Sequence, residues 1–272
     1  MLKISIITVV KNGMPYLKDC LKSFELQDYI NKEHIIVYSK SKDFTEGFLK
    51  KSKNKNIKII YDKKSNNKFG ALNVGIKHCS GDIIGILHAD DIFFSNRILS
   101  IIAKNFPEKD IVYGNILISN RKNILLINRN WKSTSFDIRK LYNGWMPPHT
   151  SIFIKKKIIP NYSIRYKISG DYEFILKIFL LKNLKIKFLQ KNLIIMRSGG
   201  DSSRLKLFIK KFKEDKMIYS SYFKKHKPFF AISIKILSKI FQFRRFYLSS
   251  NKYLKNFENK KYLNAKLFFK NI

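Results

Sequence analysis

The first hundred residues alternate short apolar runs with segments whose apolar residues recur at helical spacing. Residues 4–10 (ISIITVV) form a continuous β-branched run of the kind shown by a strand buried on both faces. Lys11-Asn12-Gly13 ends it in a turn. From Pro15 to about Leu26, Leu17, Leu21 and Phe24 fall on one helical face, and Pro15 suits a first helical turn. The unit then repeats: strand 34–38, helix from about Asp43, strand 57–61, helix 69–79, strand 83–87, helix 95–105. Such alternation predicts an α/β fold with a mostly parallel, doubly wound sheet. Ligands in these sheets bind at the carboxyl ends of the strands, here residues 11–13, 39–43 and 88–91.

Beyond Pro107 the pattern loosens. It predicts strands at 111–118, 124–129 and 150–154, a short helix near 135–142, a helix from Asp171 to about Leu181, and two strands at 185–189 and 193–196. After the loop 197–203 the chain reads as helical throughout. The expected organisation is therefore a catalytic-type domain over 1–203 and a basic, amphipathic helical extension over 204–272.

Composition narrows the function classes. The 272 residues are 45% hydrophobic, enough to build a core and inconsistent with disorder. Two distant cysteines, Cys20 and Cys79, cannot form a disulfide framework or a Cys-rich zinc site, and a reducing cytoplasm is the expected compartment. The start of the chain shows no long apolar leader, and no run reaches the length of a spanning helix.

A net charge of +36 invites a nucleic-acid reading, but only nine of 55 cations are Arg and no nucleic-acid-binding motif is present, so no nucleic acid is expected. Residues 204–272 hold 19 cations against three acids. Within them, 229–243 (FFAISIKILSKIFQF) places a broad apolar arc opposite Lys235 and Lys239, with Arg244 and Arg245 following. That pattern suits an anionic membrane surface, or packing on the domain or a second subunit.

The sharpest chemical feature is His88-Ala89-Asp90-Asp91, directly after an apolar strand. Adjacent carboxylates repel unless a cation neutralises them, and a hard divalent cation accepts carboxylate and phosphate oxygens together. The alternative is that the pair caps a following helix. Asp171, at a predicted helix start, has the same alternative. His149, after two prolines, reads as either a structural or a functional imidazole.

The segments ISIITVVKNGMPYLKDCLKS, SKSKDFT, GALNVGIKHCSGDIIGILHADD, MPPHTSIF, SGDYEFILKI and MRSGGDSS, in that order over residues 3–203, resemble inverting family-2 glycosyltransferases of the GT-A fold, in the branch that builds polysaccharide and lipopolysaccharide. The resemblance implies a nucleotide-sugar donor, a glycan or lipid-linked acceptor, Mg²⁺ or Mn²⁺, and peripheral attachment to the cytoplasmic face of the membrane. It implies Asp91 and Asp90 as metal and nucleotide carboxylates, with Asp91 making the direct metal contact. Thr8, Val10, Lys11 and Asn12 match the nucleotide-facing loop, Asp43 the carboxylate near the base, and Asn73 the helix beneath the nucleotide. His149 matches the histidine of the family's Pro-Pro-His segment, in the acceptor-side loop and in reach of the metal or diphosphate, and Asp171 the general base. Three departures stand out: Tyr38-Ser39-Lys40-Ser41 replaces the family's Asp-Gly-Gly-Ser, His88 stands where relatives have Asp or Asn, and Gly70 stands where close ones have Asp. They leave open a catalytically silent module of the same fold.

Overall fold

A computed structural model of the chain describes residues 1–52, 54–65, 67–199, 205–224, 228, 231–234 and 242–248. The amino-terminal apolar runs form β1 (Ile4–Val10), β2 (Lys32–Tyr38), β3 (Ile57–Tyr61) and β4 (Ile83–Ile86). They lie parallel in the order β4-β1-β2-β3. Between them run α1 (Leu17–Glu25), α2 (Thr45–Lys50) and α3 (Lys68–His78). The alternation of β-branched side chains along β1 serves two cores. Ile4 and Ile6 pack with Cys20 and Phe24 of α1, while Ile7 packs with Phe69, Leu72 and Ile76 of α3 on the other face. This is the doubly wound α/β arrangement that the sequence predicts.

The second half continues the sheet with mixed polarity. It comprises β5 (Ile92–Phe93), α4 (Ile98–Asn105), β6 (Ile111–Ser119), β7 (Leu126–Trp131), α5 (Ile138–Tyr142), β8 (Ile152–Lys155), α6 (Gly170–Phe179) and β9 (Ile186–Arg197). Strand β8 sits antiparallel between β4 and β6. The two strands expected at 185–189 and 193–196 are one: β9 runs parallel to β6 through a register shift that opposes Asn115 to Asn192. That bulge carries the exposed Gln190 and Lys191, whose polarity breaks the apolar pattern without breaking the strand. Ile92 and Phe93 form a strand against β9, a pairing too short to show as a period.

The carboxyl-terminal part is a partial departure from expectation. α7 (Leu205–Tyr222) is a helix, as predicted, but residues 243–247, expected as the end of a helix and its basic flank, form β10 (Phe243–Tyr247), antiparallel to β7. Of the amphipathic stretch 229–243, only 231–234, which are helical, and 242–243 fall within the described residues. Ala231 and Ile232 there are buried, and Leu248 joins the core beside α4. No helix among the described residues is long and apolar enough to cross a membrane.

Candidate functional site

Three strand ends and two loops of the first half converge at the carboxyl edge of the sheet. Lys11 and Asn12 are exposed, and Asn12 takes a left-handed backbone with φ 53°. The turn is braced by the loop after β2. Ser41 Oγ accepts from the Asn12 amide at 3.0 Å, Thr45 Oγ1 from Gly13 at 2.9 Å, and Asp43 Oδ2 from Met14 at 2.9 Å. Asn12 Oδ1 in return accepts from the Lys42 amide at 2.7 Å.

Asp43 also accepts from the Thr45 amide at 3.0 Å. Burial disfavours its charge, but the bonds from Thr45 and Met14 outweigh burial and hold its carboxyl below the ordinary range. Asp43 thus braces the loop with both oxygens. Thr8 is fully buried, its hydroxyl donating to the Leu87 carbonyl at 2.7 Å and lying 2.8 Å from His34 Nε2. Its side chain supports the edge from below, so the expected nucleotide-facing role does not fit it. Val10 is likewise buried, against Leu17 and Leu49. Asn73 clasps the backbone of Tyr162, accepting from its amide at 2.7 Å and donating to its carbonyl at 2.9 Å. Both ends of its carboxamide are thereby engaged in tying α3 to the 159–166 segment.

Ala89 lies next to Gly13, where an added Cβ would stand 3.8 Å from the Ala89 Cβ. The following helix starts only at Ile98, so Asp90 and Asp91 do not cap it. The two carboxylates have opposite settings. Asp90 is 29% exposed, and its Oδ2 meets Arg121 Nη1 at 3.0 Å. Asp91 is 0% exposed; its Oδ1 accepts from the Arg197 amide at 3.3 Å and its Oδ2 has no partner. Burial, reinforced by the charge of Asp90, pushes the Asp91 carboxyl well above the ordinary range. Asp90 is thus the carboxylate open at the edge, and Asp91, which the resemblance gives as the direct metal contact, is buried behind it.

Two arginines, Arg197 of the MRSGGDSS segment and Arg121 outside the motifs, complete this corner. Arg197, 2% exposed, meets Asp19 at 2.5 Å and the Asp90 carbonyl at 2.7 Å. Arg121, 41% exposed, lies with Arg197 against the Tyr16 ring, the guanidinium carbons 4.7 and 4.8 Å from its centroid. Nothing local in the sequence marks Arg121; its scarcity among so many lysines is the only signal.

The remaining candidate residues draw on segments farther along the chain. His88 and His149 have ring centroids 6.2 Å apart, and His149 Nε2 is 2.6 Å from the Tyr162 hydroxyl. Tyr162 stacks on Phe174 of α6 at 3.8 Å. Asp171 is in the first turn of α6, after the N-cap Ser169, and its Oδ1 accepts from the Tyr172 amide at 2.9 Å. Its charge acts on His88, His149 and Tyr162. Burial holds both imidazoles neutral, His149 with a pKa lowered to about 3.

Glu173, two residues on from Asp171 and on the opposite side of α6, pairs with Lys177 at 2.9 Å and accepts from Tyr222 at 3.0 Å. Trp145 packs against Tyr113, Phe136 and Phe179. Residues 200–204 of the Gly-Gly loop lie outside the described residues. A surface depression of about 690 Å³ between Met1, Tyr29, Asp82 and Pro107 is at the amino ends of β1 and β4, away from all these groups.

The sequence matches the family Glycosyl transferase family 2 over residues 5–162. An uncharacterized glycosyltransferase of Rickettsia typhi is 28% identical over 236 residues, covering 82% of this chain and 72% of its own length. One of Rickettsia prowazekii is 30% identical over 195 residues, covering 66% of this chain and 60% of its own. Among solved structures, Staphylococcus aureus TarS 1-349 in complex with UDP-GlcNAc superposes with a TM-score of 0.65 at 18% identity, over 98% of this chain and 80% of that one. The mannosyltransferase PcManGT of Pyrobaculum calidifontis, in complex with GDP-Man and Mn²⁺, gives 0.60 at 13% identity, over 99% and 82%. With the parallel strands, the carboxylate turn and the braced loops meeting at one edge, these matches establish that the chain belongs to glycosyl transferase family 2 and has the GT-A fold.

Proposed function

We propose that the protein transfers a sugar from a nucleotide-sugar donor to an acceptor hydroxyl with inversion at the anomeric carbon. The observation that carries this reading is the position of His88, whose imidazole feels the charges of both Asp90 and Asp171. The proposed donor-edge carboxylate and the candidate base thus act on one imidazole, although they are 81 residues apart in number. Asp171 would take the proton from the acceptor hydroxyl as it attacks the face of the sugar opposite the leaving diphosphate. The exposed Lys11 on the braced turn and the half-exposed Arg121 would bind the diphosphate. One carboxylate base suffices here, in contrast to the paired carboxylates of glycoside hydrolysis.

A divalent cation fits as a partial protein site. Among the described residues no three His, Cys, Asp or Glu side chains gather into a cage. Asp90, open at the edge with Asp91 buried behind it, would supply a carboxylate oxygen to Mg²⁺ or Mn²⁺, with phosphate oxygens completing the shell. Bound there, the ion would neutralise charge developing on the leaving diphosphate.

The relatives that bind UDP-GlcNAc and GDP-Man bracket the donor class. The acceptor is a glycan or a lipid-linked glycan in cell-surface polysaccharide synthesis. Peripheral docking on the anionic cytoplasmic membrane face is supported by exposed Ile209 and Met217 among the lysines of α7. Vesicle flotation with anionic and neutral lipid checks the docking, and equal, negligible binding to both at low salt removes it.

The activity is tested by screening UDP-, GDP- and dTDP-sugars with Mn²⁺ for thermal stabilisation and donor hydrolysis, then comparing wild type with Asp171→Asn. The variant is expected to keep donor stabilisation and lose about a thousandfold or more in turnover. No stabilisation by any donor would favour a silent module of the same fold.

A further inference from the structure

We propose that α7, which lies beyond the residues matched to the family, is part of the catalytic apparatus, with Lys211 a positioning residue that keeps Asp171 in its working state. The inference rests on the reading of Asp171 as the base. Its geometry begins with Glu214, whose buried carboxylate accepts three consecutive backbone amides: Lys167 at 3.1 Å, Ile168 at 2.9 Å and Ser169 at 2.8 Å. That clasp fixes the turn leading into α6, two residues before Asp171.

One helical turn earlier on α7, Lys211 Nζ donates to Ser169 Oγ and to Asp215 Oδ1, each at 3.3 Å, and its side chain is 20% exposed. Burial disfavours the ammonium, yet the carboxylates of Asp171, Asp215 and Glu214 outweigh it and raise the pKa of Lys211 above its ordinary value. Asp171 is the largest of these favourable charges. Coulombic attraction is mutual, so the ammonium favours the Asp171 carboxylate to the same degree.

Other groups face Asp171 from elsewhere in the fold. His88 follows β4, His149 and Tyr162 flank β8, and Lys68 of α3 acts on both histidines. Burial holds both imidazoles uncharged and pushes the Tyr162 hydroxyl well above its ordinary value. Lys211 is therefore a positive charge that acts on Asp171, whereas His88, His149 and Tyr162, on which Asp171 also acts, are neutral at pH 7. It stands in a segment to which no family motif points.

The test compares turnover against pH for the full-length wild type, Lys211→Met, Lys211→Arg and Asp171→Asn. Loss of the ammonium should move the acid limb of Lys211→Met up by about one pH unit. Turnover on that limb then falls about tenfold and recovers at higher pH, with donor stabilisation unchanged. Lys211→Arg should restore the wild-type midpoint. A Lys211→Met profile that overlays wild type, or an equal shift in Lys211→Arg, overturns the inference. If Lys211→Met does not fold by circular dichroism, Lys211→Gln takes its place against Lys211→Arg. Turnover by Asp171→Asn near wild type would instead overturn the base assignment itself, so the two failures are separable.

Discussion

The proposed donor edge and the proposed base edge of the site are braced in different ways. At the donor edge, Ser41, Thr45 and Asp43 take the consecutive amides of Asn12, Gly13 and Met14, so one loop fixes the backbone of its neighbour. At the base edge, the bonds join remote segments: Asn73 to Tyr162, Tyr162 to His149, Lys211 to Ser169 and Glu214 to the 167–169 turn. The first arrangement fixes the turn that presents the exposed Lys11, and the second holds one side chain in a controlled field. A substitution at the donor edge should therefore act on binding, and one at the base edge on turnover.

The sharpest separation is expected from Asp90→Ala. Transfer should drop by about 100-fold or more, and nucleotide-sugar stabilisation in the presence of Mn²⁺ should vanish with circular dichroism unchanged. Asp171→Asn should keep that stabilisation. Equal loss in both variants would merge the two edges into one binding site.

Gly75→Ala strikes the scaffold under both edges, since α3 packs on β1 and also carries Asn73. An added Cβ would meet Ile7 Cγ2 at 2.5 Å, forcing the helix off the sheet. A loss of about 1–3 kcal/mol is expected in urea unfolding. A stability within error of wild type would show that the interface yields.

A smaller effect isolates the donor edge through pH. The single hydroxyl proton of Thr8 goes to the Leu87 carbonyl, so His34 must donate from Nε2, leaving Nδ1 without a partner. Burial lowers the His34 pKa to about 3, against about 6.5 in the unfolded chain. A depressed folded pKa gives stability that is complete above the unfolded value and lost as pH falls from about 6.5 towards 3. His34→Asn should remove about one proton from the uptake on unfolding in that window, measured as the pH slope of the urea midpoint. An unaltered slope would show that His34 does not titrate on unfolding.

The smallest effect is a gain. Gly47 lies in α2 with no atom within 4 Å of an added Cβ. Gly47→Ala should stabilise by about 0.4–1 kcal/mol, with transfer unchanged.

The same contrast explains what the sequence made legible. The donor half was readable because its evidence is local: β-branched runs ended by polar turns, and helices repeating on one face. The order of motifs also carried the family. What escaped notice depends on partners far along the chain. The sequence places Asp91 as the carboxylate in direct metal contact, and only the Arg197 amide delivered by β9 shows it buried behind Asp90. Gln190 and Lys191 read as a break in a strand that the bulge opposite Asn115 carries through. Residues 243–247 resemble a helix end, and their pairing with β7 overrides local preference. Glu214 and Lys211 look like an ordinary solvated i, i+3 pair until the 167–169 turn arrives beside them.

Arg197 also sets an order of events during synthesis. The β1 turn, α1 with Asp19, and the Asp90-Asp91 turn leave the ribosome early, but the guanidinium that joins them is 178 residues beyond Asp19. At ordinary elongation rates that interval is roughly 10–35 s. A nascent chain ending at residue 162, where the family match stops, would contain the strand-end carboxylates and lack the cation behind them. The donor corner is thus closed by one of the last strands to emerge, and nucleotide-sugar binding should arise late in translation, when the sheet has received its final parallel strand.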